Sequence, residues 1–212
     1  IWWLSVDNAL MAIARLGSIP PLRSGVFHFY QSDYARQFLD LLGLEHSFSL
    51  SDYISESILS YMDKPVSREN FVVYNPKKGF EFTNKIIQSF PDIRFVPLRD
   101  MTKDQVCQTL KQASVYIDFG DHPGKDRIPR EAALLGCCVI TSKNGSAKNG
   151  KDVPIPDEFK FEKREDKLQA IGGAINACIE NYSSQAVKFD GYRSIVLGEK
   201  KIFINEIKLA FK

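Results

Sequence analysis

The chain of 212 residues is 44% hydrophobic and 25% charged, with 28 Lys plus Arg against 26 Asp plus Glu. Those values exclude wholesale disorder and fibrous repeats, and the length predicts one large α/β domain or two small ones, without a disulfide or metal staple. A net charge of +2, with no basic run on any one segment, argues against a nucleic-acid partner.

Short apolar runs alternate with helical patterns, which predicts a Rossmann-like parallel α/β sheet with helices on both faces. Residues 1–6 read as a strand, and Asp7 as the cap of a helix carrying Leu10, Ile13 and Ala14. After Pro20-Pro21, residues 26–30 form a strand. Ser32 caps a helix with Phe38, Leu39 and Leu42 that Gly43 ends. A strand at 46–50 and a helix over 51–62 follow, and Pro65 breaks the pattern. Beyond it come strands at 71–74, 93–96, 115–119 and 137–141. Helices fall at 79–90, from Thr102 (with Gln105 a capping box), at 129–135, around 168–179 and at 192–211. A boundary is expected near residues 64–68, giving portions 1–66 and 67–212.

The four cysteines, Cys107, Cys137, Cys138 and Cys178, include no CxxC pair. With no signal peptide in view, they predict a reducing, cytoplasmic setting in which the thiols act as small apolar groups. No apolar stretch reaches the roughly 18 residues of a membrane span, although contact with a membrane surface stays open. The opening Ile1-Trp2-Trp3-Leu4 reads as the middle of a strand, as in a fragment of a longer protein.

Three short motifs fail on context. Residues 145–152 nearly spell a phosphate-binding Walker loop, but Asp152 stands where Ser or Thr should be, and Pro154 and Pro156 forbid the helix. Leu98-Arg99-Asp100 and Asp118-Phe119-Gly120 imitate kinase motifs without the upstream Gly-rich loop and strand lysine. His28, His46 and His122 show no ligand spacing, so no metal site is expected.

The informative stretch runs from Tyr116 to Ala133: a strand, a polar loop with glycines, then a helix start. Such a loop lies at the carboxyl edge of a parallel sheet, where ligands bind. Free helix N–H groups, Gly120, Gly124, Lys125, Arg127 and Arg130 together describe a phosphate cradle. Glu131, expected in the first helical turn, fits either the helix dipole or a diol such as a ribose. The turn Asn75-Pro76-Lys77-Lys78-Gly79 fits either a cation brought to the same crevice or a solvated lysine pair.

This stretch resembles the donor-binding half of GT-B glycosyltransferases of the family 1/4-like group. More narrowly, it is similar to bacterial-type surface polysaccharide transferases with a YNPKKG turn and an HPGKDRIPREAA segment. The resemblance extends through Gly136 to Thr141 and Gly145-Ser146-Ala147, and back to Ser5-Val6-Asp7-Asn8 and Gln31 to Ala35. It implies a GT-B fold with an abbreviated N-terminal, acceptor-side half, and a last helix packing back on that portion. The implied activity is transfer of a hexosyl or deoxyhexosyl group from a nucleotide-diphosphate sugar to a saccharide or glycan acceptor, retaining and metal-independent. No cofactor beyond that co-substrate is implied.

By the same resemblance, Glu131 matches the second glutamate of an EX7E pattern, which holds the donor ribose. Pro123 stands where the first glutamate belongs. Lys78 matches the lysine that neutralises the diphosphate, with Asp126 and Arg127 beside it as catalytic candidates. Asn75, Gly124, Lys125, Gly145 and Ser146 are donor-binding candidates. The alternative is a non-catalytic nucleotide-sugar-binding module, or an inactive donor half of a larger assembly. A nicotinamide-binding domain lacks its GxGxxG fingerprint.

Overall fold

A computed structural model describes residues 1–17, 25–44 and 46–211. Strands β1 (Trp2–Trp3), β2 (His28–Tyr30) and β3 (Ser47–Ser49) form a parallel sheet in that order. Strands β4 (Glu69–Tyr74), β5 (Arg94–Pro97), β6 (Ala113–Asp118), β7 (Cys138–Ser142) and β8 (Lys160–Phe161) form a second. Its order is β5-β4-β6-β7-β8, and every pair is parallel. The four strands expected beyond residue 70 are therefore parallel neighbours. The two-residue β8 has no apolar run to announce it.

The helices are α1 (Asn8–Leu16), α2 (Asp33–Leu41), α3 (Leu59–Met62), α4 (Phe80–Ser89), α5 (Lys103–Gln112), α6 (Arg127–Leu134), α7 (Gly145–Lys148), α8 (Leu168–Glu180), α9 (Tyr182–Ala186) and α10 (Asp190–Ala210). Ser32 Oγ accepts from Ala35 N, and the Thr102–Gln105 capping box closes in both directions. All six residues of β6 are buried, so both faces of the sheet are covered. Helices α5, α6 and α8 pack against that strand. This is the α/β, Rossmann-like architecture the alternation predicts.

Strand order positions the site. From β4 the chain winds outward to β5, then returns to lay β6 on the other side of β4. The connections after β4 and β6 diverge there, leaving a crevice outside their carboxyl ends.

Several expectations are corrected. The first strand covers only Trp2–Trp3, because Val6 N–H donates to Pro123 O at 2.8 Å instead of continuing the ladder. Of the helix expected over 51–62, only a short 3₁₀ turn (Glu56–Ile58) and α3 form. Ser51 N and Oγ donate to the Glu206 carboxylate at 2.7 and 2.6 Å, and that long-range pairing overrides local propensity. The Pro20-Pro21 break and the Leu10 side chain lie outside the described residues.

Helix α10 returns across the first sheet. Its Phe203 stacks on Trp2 at 6.1 Å between ring centroids and tilts against Tyr53 at 5.2 Å. Among the described residues, no helix is long and apolar enough to cross a membrane.

Candidate functional site

At the crevice, the 75–79 turn and the loop after β6 meet directly. Gly79 has φ +59°, and a Cβ there would lie 2.0 Å from Phe119 O, so only glycine permits the contact. Asn75 Oδ1 accepts from Lys77 N at 3.0 Å and fixes the turn. The side-chain oxygen of Asn75, a donor-binding candidate, is thus engaged in building the loop. Lys77 stays exposed, whereas Lys78 turns inward and its Nζ donates to Asp126 Oδ1. Of the two lysines, Lys78 is the one the fold brings to the crevice.

The other Asp126 oxygen, Oδ2, lies 3.0 Å from His122 Nδ1. His122 Nε2 lies 3.3 Å from Asp118 O and 3.5 Å from Asp118 Oδ1. Asp118 Oδ1 accepts from Gly120 N at 3.0 Å, and Oδ2 from Tyr116 OH at 2.8 Å. Burial alone would raise the Asp126 pKa, but the His122 hydrogen bond and the Lys78 ammonium outweigh it and lower it. Although the histidines show no ligand spacing among themselves, His122 joins two carboxylates in space. Ligand atoms of Asp118, His122 and Asp126 all lie within 4.8 Å of one another. The sequence signal for it is the spacing of four from Asp118 to His122 and again to Asp126. Within this set, Asp126 Oδ1 is paired with the Lys78 ammonium, and the Asp118 oxygens accept from Tyr116 OH and Gly120 N–H.

Other proposed residues face inward. Lys125 Nζ pairs with Glu199 of α10 at 2.9 Å, while its backbone N donates to Gln31 Oε1 at 2.9 Å. Arg130, 1% exposed, donates to Glu199 at 2.7 Å and to Asp52 at 2.9 Å. Neither cation is available to a phosphate. Gly124 packs against the chain just past β1, where a Cβ would lie 2.0 Å from Leu4 O. Ser146 is fully buried; its Oγ donates to Gly124 O at 2.7 Å and its N to His122 O at 2.9 Å. Gly145 permits that approach, since a Cβ would lie 2.1 Å from the His122 carbonyl. Gly145 and Ser146 therefore hold the 120–126 loop rather than open onto the crevice.

Helix α6 begins at Arg127, not near Pro129, so Glu131 is its fifth residue and lies beyond the first turn. A dipole role fades there, because the effect falls off within one turn. The half-buried Glu131 carboxylate makes no hydrogen bond among the described residues. Burial raises its pKa, against the lowering charges of Lys103, Arg127 and Arg130. Arg127 is exposed and likewise makes no hydrogen bond or ion pair among the described residues. It lines a cleft of about 440 Å³ with Trp2, Tyr53 and Phe203 opposite. That volume is in the range of small-molecule sites. Its walls join residues too far apart in sequence for any local pattern to reveal.

No family model matches the chain, and no curated protein matches it. Solved structures do. Crystal structures of Anabaena Alr3699/HepE in complex with UDP-glucose and with UDP superpose with TM-scores of 0.64 and 0.68, each at 14% identity. They cover 98% and 99% of this chain, and 69% and 71% of that one. The same protein in complex with UDP and glucose gives 0.66 at 16% identity, over 98% of this chain and 68% of that one. At this identity the likeness is one of fold.

Proposed function

We propose that the chain binds a nucleotide-diphosphate sugar outside the carboxyl ends of β4 and β6 and transfers the sugar to a saccharide acceptor without a metal ion. The observation that carries this reading is the convergence of Lys78, from the turn after β4, with the Asp126–Arg127 start of α6. It occurs in a fold shared with a protein crystallised with UDP and UDP-glucose. In such a transfer the difficult step is departure of the nucleotide diphosphate. Lys78 and Arg127 place fixed cations at the leaving oxygens, and the α6 N-terminus adds N–H groups. Asp126 holds Lys78 in place until the diphosphate arrives. Residues 67–212 serve as the donor-binding half of a GT-B arrangement and residues 1–66 as an abbreviated acceptor side. Retention of anomeric configuration and a role in polysaccharide synthesis are the outcomes the family resemblance implies.

A panel of nucleoside diphosphates and their sugars tests this reading by thermal shift. A ligand at 100 times its dissociation constant stabilises by about 2.7 kcal/mol. The uridine members should raise the melting temperature, and no response to any member would overturn the proposal. A second reading, a binding module without turnover, is favoured by Pro123 at the place of the first glutamate, where its carbonyl is engaged by Val6 N. Release of free sugar or transfer to an acceptor separates the two.

Glu131 is assigned to the donor ribose. Glu131→Ala should weaken nucleotide binding by about 1.5–3 kcal/mol for each charge-assisted hydrogen bond lost, measured by calorimetry on folded protein. The carboxylate accepts only when ionised, and burial raises its pKa. Affinity should therefore fall on acidification from a higher pH than an ordinary glutamate would set. An alanine variant with the wild-type affinity would remove Glu131 from the site.

A further inference from the structure

We propose that His122 is a positioning residue: bridging Asp118 and Asp126, it fixes the Asp126 carboxylate and through it aims the Lys78 ammonium. The proposal rests on the reading above, in which Lys78 meets the diphosphate. Three independent features of the backbone and side chains point to it.

His122 has φ +48°, in the left-handed region that non-glycine residues seldom occupy. Such outliers persist only where their surroundings fix them. Here Ser146 N clasps the His122 carbonyl, and Gly145 leaves room for the approach. The conformation turns the imidazole inward until it is 1% exposed. Next, the ring nitrogens face acceptors on both sides: the Asp126 carboxylate at Nδ1, and the Asp118 carbonyl and carboxylate at Nε2. A neutral imidazole donates from one nitrogen only, whereas the imidazolium donates from both. The pKa direction agrees: burial lowers it, but the hydrogen bond to the Asp126 carboxylate and the two carboxylate charges raise it overall.

The third feature is the behaviour of Asp126 itself. It is the N-cap residue of α6, a position where aspartate ordinarily accepts a hydrogen bond from the first turn. Here the side chain makes no capping bond. One oxygen takes His122 and the other takes Lys78. The far end of the chain is anchored in β6, where Asp118 is held by Tyr116 OH and Gly120 N. A lysine on a flexible stem, 39% exposed in its side chain, is thereby connected to a fully buried strand that is paired on both sides.

The test is a double-mutant cycle on turnover of a uridine diphosphate sugar by the full chain. Asparagine tolerates the left-handed conformation. His122→Asn should lower kcat about 10- to 100-fold, the cost of a misplaced charge, with KM changed by no more than about twofold. In the Lys78→Ala background the same substitution should add nothing. Asp118→Asn, which removes the anchor, should reproduce the effect and serves if His122→Asn does not fold. Additive losses, or a raised KM with unchanged kcat, would overturn the positioning role. If the wild type turns over no nucleotide sugar, the functional reading fails on its own. Acylation of Lys78 by an N-hydroxysuccinimide ester, followed by mass spectrometry, then decides the case. Severalfold faster labelling in the His122 or Asp118 variant supports the tether, and equal labelling refutes it.

Discussion

Alanine at Lys78 or at Arg127 is expected to slow sugar transfer about 100- to 1,000-fold, the usual cost of removing one preorganised donor to a developing charge. Nucleoside binding should change far less, because the charge both residues oppose appears as the glycosidic bond breaks. The two cations differ in resting state. Lys78 is tied to Asp126, whereas Arg127 is exposed in the 440 Å³ cleft without an ion pair among the described residues. Losing Lys78 also leaves Asp126 facing the diphosphate with one partner fewer, so its variant should be the slower. If Lys78 and Arg127 supply the positive charge at the diphosphate, activity should survive chelator. Loss of activity in EDTA with recovery in manganese would overturn the metal-free mechanism. Wild-type turnover in both variants would return the two residues to solvated surface charge, whose loss ordinarily shifts stability by less than about 0.5 kcal/mol.

How far the sequence reaches depends on the range of the interactions. Strand β6 is legible over its second half because Val115, Tyr116 and Ile117 favour a strand, and α5 because Thr102 and Gln105 close its first turn locally. Parallel pairing follows from strand and helix alternation, and it puts Lys78 and Asp126 at one edge, although 48 positions separate them. Illegible were the directions of side chains whose partners lie far along the chain. Lys125 and Arg130 sit in a loop and helix start that look like an anion cradle. Nothing local says that Glu199, 69 residues after Arg130, will claim both. Ser51 to Ser55 carries a helical pattern that fails because Glu206, 155 residues after Ser51, engages it. His122 has no ligand spacing to His28 or His46, and its partners are the carboxylates of Asp118 and Asp126.

The residue that sequence reasoning placed in the cradle, Arg130, should prove to be a structural keystone. Its guanidinium is 1% exposed, with Glu199 Oε2 at 2.7 Å and an Asp52 oxygen at 2.9 Å. Burial would lower its pKa, but the two carboxylates hold it above the ordinary arginine value. The cluster joins α6, α10 and the segment after β3. Removing one partner of a buried pair costs about 3–5 kcal/mol, because the remaining charge stays desolvated. Arg130→Met should meet that cost mainly at Asp52, since Glu199 keeps Lys125 at 2.9 Å. With a urea slope of about 2 kcal/mol per M, the unfolding midpoint should fall by roughly 2 M. Asp52→Asn added to Arg130→Met should recover part of the loss by removing the stranded charge. The same change alone should destabilise, because it strips Arg130 of an ionic partner, and that opposite sign distinguishes a buried network from two unrelated surface effects. A fall of less than about 0.5 kcal/mol in Arg130→Met would instead put the guanidinium back in solvent, at the mouth of the crevice, where the sequence alone had placed it.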